Sequence, residues 1–135
     1  MNEQILIIED ETAIQSILSE LLTDAGYNIE IASDGLEGIR KFREQHFSLI
    51  LLDIMMPKID GYTATRVIRS TNRQDAKAIP IIAMTANAFS EDIQHSLAAG
   101  MNAHISKPVD MKTLEKTVRS IKSGGGCTET QVIEA

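Results

Sequence analysis

Glu9 and Asp10, Asp53, Thr85 and Lys107 each stand at the end of a short, mostly apolar run, and together they could handle a phosphate. Three carboxylates brought to one place repel one another. Like charges ~4 Å apart cost on the order of 4 kcal/mol at an effective dielectric of ~20, so the cluster wants a cation or a proton. An all-oxygen set without His or Cys selects a hard ion, and few protein ligands with room for water favour Mg²⁺ over Ca²⁺. Thr85 and Lys107 add a hydroxyl and a positive charge. With Mg²⁺ they would neutralise the oxygens of a phosphoryl group carried on Asp53, which attacks as the anion and needs no general base. Taken singly, each has a plainer role: Asp53 as a turn cap, Thr85 as a turn residue, Lys107 as a surface charge. Their shared placement argues for the chemistry.

That placement depends on the elements that carry the residues. Phe47 to Leu52 is a nearly unbroken apolar run ending on Asp53, as a central parallel strand covered on both faces requires. Ile5-Leu6-Ile7-Ile8 repeats the design before Glu9 and Asp10. Tyr27 to Ile31 alternates as a half-exposed edge strand does, Ile81 to Met84 follows Pro80 and ends on Thr85, and Ala103 to Ser106 leads into Lys107. Between them lie helical stretches. Thr12 with Gln15 reads as a capping box for a helix through Ala25, closed by Gly26; Asp34, Asp60, Ser90 and Asp110 open the other four. Asn72 to Lys77 reads as a polar connection. Five alternations of strand and helix predict an open, doubly wound α/β domain: a parallel sheet with right-handed crossovers and helices on both faces. In such sheets ligands bind outside the carboxyl ends of the strands, and an order of 2-1-3-4-5 would bring Glu9, Asp10 and Asp53 to the switch point.

At 135 residues the chain makes one domain, with a core that needs no staples. A net charge of -6 without a basic stripe argues against direct nucleic-acid binding. The lone Cys127 has no partner within the chain, and no apolar run approaches the ~18 residues of a membrane span, so a cytoplasmic protein without membrane insertion is expected. The domain is placed at 1–123, and 124–135 as a flexible tail or linker. A monomer is favoured.

The pair Glu9-Asp10, the stretch Leu51 to Gly61, Ala83-Met84-Thr85-Ala86 and Ser106-Lys107-Pro108 resemble the receiver domain of two-component response regulators. The resemblance runs from about Gln4 to Ile121. It implies phosphotransfer from a phosphohistidine on a histidine kinase or histidine phosphotransfer domain to Asp53. Mg²⁺ would be held by Asp10, Asp53 and the Met55 carbonyl, and by Glu9 mainly through water, with Thr85 and Lys107 on the phosphoryl oxygens. It also implies that the first helix docks the partner, which makes Ile14 and Ile17 candidates for the contact. Thr85 and His104 occupy the positions of the family's switch, where His104 stands in place of a more usual Tyr or Phe; it reads first as a plain strand residue and second as one that makes signalling depend on pH. Glu9 stands where many relatives have Asp. Met55 and Asn87 hold positions that govern water's access to the acyl phosphate, and an apolar Met55 implies a slow loss of phosphate. The stretches 82–88 and 100–103 resemble receivers attached to hybrid sensor histidine kinases. Two rivals fit less well. A haloacid-dehalogenase-like phosphatase would carry a second acid at Met55, and a flavodoxin-like module would not put Glu9-Asp10-Glu11 where phosphate must bind.

Overall fold

Short segments rich in Ile and Leu at the centre of the sheet and more mixed at its edges form five parallel strands: β1 Gln4–Ile8, β2 Asn28–Ala32, β3 Leu49–Asp53, β4 Ile81–Thr85 and β5 Ala103–Ser106. Their order is β2-β1-β3-β4-β5, the arrangement expected from the sequence. The computed structural model describes residues 3–56, 58–85, 90–107 and 109–124. Among these, α1 Thr12–Asp24, α2 Gly35–Glu44, α3 Gly61–Ser70, α4 Ser90–Ala99 and α5 Met111–Gly124 connect the strands. No helix among the described residues is long and apolar enough to cross a membrane.

Side chains alternate across the sheet and so supply two cores. Leu6, Ile8, Ile50, Leu52 and Ile81 meet Ile39 and Phe42 of α2 and Ile68 of α3 on one face. Ile5, Ile7, Leu49, Leu51 and Ile82 meet Leu18 and Leu22 of α1 and Leu114 of α5 on the other. All five residues of β3 are buried because both its faces are covered, which is why its sequence reads as a continuous run. The edge strand β2 is partly buried along most of its length instead of alternating.

Three helices start as the sequence predicts. The carboxylates of Asp34, Asp60 and Asp110 accept from the N–H groups of Glu37, Thr63 and Thr113, each at 2.8 Å. Gly26 and Gly100 follow α1 and α4 with φ of +98° and +109°, conformations that side chains resist. The side chain of Ser90 lies outside the described residues.

The Thr12–Gln15 capping box does not form. Glu11 is the N-cap without a side-chain bond, and the Gln15 amide donates instead to the Glu9 carbonyl at 2.6 Å, tying α1 to the end of β1. The polar connection at 72–77 contains a 3-10 turn, Gln74–Lys77, whose Ala76 is buried. The central strand starts at Leu49, two residues later than its apolar run, and Phe47 joins the core ahead of it.

Candidate functional site

Sheet register assembles the site. Ile8 pairs with Leu52, Asp53 with Met84 and Thr85 with Ser106, so the residues at or just past each strand end stand side by side. Ladder bonds fix them there. The Glu9 N–H donates to the Ala32 carbonyl at 3.0 Å, the Ile54 N–H to Met84 at 3.1 Å, and the Lys107 N–H to Thr85 at 2.7 Å. Carboxylate oxygens of Glu9, Asp10 and Asp53 all lie within 4.8 Å of one another. Glu9, Asp53 and Thr85 are buried, and Asp10 opens to solvent.

Lys107 reaches into this cluster. Its Nζ is 3.0 Å from Glu9 Oε1 and 3.3 Å from Asp53 Oδ1. The Met55 N–H also donates to Asp53 Oδ1, at 3.2 Å, and the Glu11 N–H to Glu9 Oε2, at 3.1 Å. Loss of hydration dominates the protonation equilibria. Burial pushes the Glu9 carboxyl up to about 7 and raises Asp53 as well, although Lys107 pulls against both shifts. Burial also works against the Lys107 charge, but Glu9 and Asp53 outweigh it and raise the ammonium.

Three carboxylates face one ammonium, leaving a surplus of two negative charges when all are ionised. A hard divalent cation cancels that surplus and finds only oxygen donors, so the residues present fit Mg²⁺. No Cβ could be added at Gly61 without meeting the Asp53 carbonyl at 2.7 Å, so α3 starts hard against the backbone that carries Asp53. In the sequence Gly61 stood only as the last residue of the stretch from Leu51; a glycine just after a cap, eight residues past the acid, was the available signal.

Beside the acids, Ile14, Ile17, Leu18, Lys107 and Val109 line an apolar cleft of about 230 Å³. Ile17 is 55% exposed and Ile14 half-buried, so neither is spent wholly in the core. Val109 was not singled out by sequence. The Met55 side chain is 75% exposed while its N–H braces Asp53. His104 is buried on β5 next to Ala83 of β4, pointing away from the face that holds Ala103 and Ile105. Asn87 lies outside the described residues.

Residues 5–119 match the family model described as the response regulator receiver domain. The chain belongs to the response regulator receiver family. This receiver is 32% identical to a probable histidine kinase from Oryza sativa subsp. indica over 86% of its own length, but spans only 15% of that relative. Against a probable transcriptional regulator from Porphyridium aerugineum the identity is 38%, covering 88% of the receiver and 48% of the relative. The receiver thus spans less than half the length of these curated relatives. Among solved structures, it is similar to the receiver domain of a sensor histidine kinase from Pseudomonas aeruginosa, with 35% identity, TM-score 0.81 and coverage of 91% and 100% of the two chains. That structure holds a magnesium ion in its active-site cleft. The match places the receiver in two-component phosphorelay signalling and leaves no support for the phosphatase or flavodoxin readings.

Proposed function

We propose that this receiver accepts a phosphoryl group from a partner phosphohistidine onto Asp53, and that Mg²⁺ assists. One observation carries the reading: a buried aspartate at the end of the central strand shares its pocket with two more acids and a lysine that touches it. An Asp53 oxygen forms the bond to phosphorus as the bond from phosphorus to the imidazole nitrogen breaks, and the imidazole leaves with the electron pair. The Met55 N–H and Lys107 hold the carboxylate in place for this displacement. Lys107 and the Thr85 hydroxyl then take the phosphoryl oxygens. Asp10, Asp53 and the Met55 carbonyl would hold the metal, and Glu9 would contribute to it mainly through water. When bound, Mg²⁺ supplies a Lewis acid that draws charge from the transferring group.

The partner is a histidine kinase or a histidine phosphotransfer domain, seated on α1 with Ile14 and Ile17 as its apolar contacts. The cleft they line opens beside Lys107, where a donor must arrive. A similar receiver from Saccharomyces cerevisiae, 28% identical with TM-score 0.79 and coverage of 88% of each chain, was crystallised with its histidine phosphotransfer signalling protein. Thr85 and buried His104 carry the change of charge inward as the switch. Residues 1–123 form the signalling unit and 124–135 a linker, as in a receiver attached to a larger hybrid kinase or regulator acting in the cytoplasm. The exposed Met55 side chain offers water no polar group, so the phosphoryl group is lost slowly. Incubation with acetyl phosphate and Mg²⁺ tests the assignment: the wild type gains label and Asp53→Asn does not. Label that persists in Asp53→Asn overturns it.

A further inference from the structure

The shortest contact of the Lys107 ammonium with a carboxylate is to Glu9, at 3.0 Å, and not to Asp53, at 3.3 Å. Glu9 is wholly buried, its Oε2 is held by a hydrogen bond, and its Oε1 meets Lys107 as an ion pair. One carboxylate oxygen faces Lys107 and the other accepts the Glu11 N–H. Its backbone is pinned as well, the N–H to Ala32 and the carbonyl to the Gln15 side chain. A flexible ammonium gains direction from a buried carboxylate that is itself braced, because an ion pair out of water leaves it few alternatives. The length of the arm matters. An aspartate here is shorter by one methylene, about 1.5 Å, and with its backbone held it would meet Nζ only if Lys107 moved off Asp53 toward it.

We infer that Glu9, when ionised, is a positioning residue for Lys107, holding its ammonium over Asp53 whether or not metal is present and leaving direct contact with the ion to Asp10 and Asp53. The inference rests on Asp53 as the phosphoacceptor. A divalent ion that takes up Asp53 removes one of the two anchors of Lys107 and leaves the Glu9 anchor. The ammonium therefore stays beside the acceptor oxygen, ready for the incoming phosphoryl group. This role belongs to glutamate at position 9 and not to acids there in general.

Glu9→Asp separates the two roles, since it keeps the charge and loses the reach. The decisive signal is the Lys107 ammonium in ¹⁵N-edited NMR, which is slow to exchange when a buried carboxylate holds it. In the wild type the resonance is expected both without metal and at saturating Mg²⁺. In Glu9→Asp it broadens away, while Mg²⁺ affinity stays within about threefold and kcat/KM for acetyl phosphate falls about tenfold. Three results overturn the inference: loss of the wild-type resonance on saturation with Mg²⁺, an unchanged resonance in Glu9→Asp, or Mg²⁺ binding weakened by about tenfold or more in that variant. The wild-type titration decides even where the variant does not fold. If acetyl phosphate labels no protein at all, the phosphoacceptor reading fails, and the resonance still reports on Glu9 separately.

Discussion

The two ends of the sheet treat buried charge in opposite ways. At the amino-terminal end, the half-buried Arg69 donates to the carbonyls of Gly100, Ala76 and Ile79 and to the Asn102 side chain at 2.7 to 3.1 Å. These acceptors stand before β4 or between α4 and β5, so one guanidinium ties α3 to two connections. Arg73 does similar work nearby. It stacks 4.5 Å over the Phe42 ring, donates to the carbonyls of Phe42 and Gln45 at the end of α2, and pairs with Asp75 at 2.6 Å. The donors are matched by acceptors of the chain itself, and nothing remains to recruit. At the carboxyl-terminal end, Glu9, Asp10 and Asp53 outnumber Lys107. Saturation gives stability, whereas a surplus gives a site that must be completed from outside.

Removing the saturated end should cost most. Arg69→Ala leaves several inward carbonyls without a donor, and about 3 kcal/mol of unfolding free energy or more should disappear in urea titrations. Mg²⁺ affinity of the folded variant should stay as it was. If metal binding falls together with stability, the two ends are not independent.

The unsaturated end should reveal itself through pH. Burial holds Glu9 at about 7, above its ordinary 4.5, so the folded protein keeps a proton that the unfolded chain has released. Stability of the metal-free protein therefore falls as pH rises from about 5 to about 7.5, by on the order of 2 kcal/mol, and saturating Mg²⁺ flattens the slope. Asp34, Asp75 and Asp110 act in the reverse sense. Hydrogen bonds hold them below the usual carboxylate range, and their contribution is lost only on acidification through that range. Thermal unfolding followed across pH, with and without Mg²⁺, separates the two. A flat metal-free profile near neutrality would contradict the account of Glu9.

The smallest effect should come from a cap that serves neither end's charge. Asp60→Ala removes the bond to the Thr63 N–H at the start of α3 and should cost about 1 kcal/mol in the same urea titration. A loss comparable to that of Arg69→Ala would show that α3 depends on its first turn more than on its guanidinium.

The fold and the reactive end were legible in the sequence for the same reason. A strand buried on both faces cannot alternate, so Leu49 to Leu52 announced a central strand, and a carboxylate closing such a run had to lie at its edge. Asp34, Asp60 and Asp110 could be read as caps because that function needs only local geometry. Gln15 could not, since its amide had a choice between a capping box and the Glu9 carbonyl, and tertiary structure decided. Arg69 and Arg73 gave no sign of themselves for a related reason. Their partners lie up to 33 residues away, and carbonyl acceptors leave no mark on side-chain types. The contact between Glu9 and Lys107 likewise spans β1 and the end of β5, which adjacency in sequence does not reveal.

The central claim is that the surplus of buried acid makes Asp53 a metal-dependent phosphoacceptor. Intact-mass spectrometry after incubation with acetyl phosphate, with Mg²⁺ or with a chelator, tests it most directly. One phosphoryl group should appear with Mg²⁺, map to Asp53 and be released by hydroxylamine as an acyl phosphate is. Equal phosphorylation under chelation, or a phosphoryl group mapped to any other residue, would contradict the account.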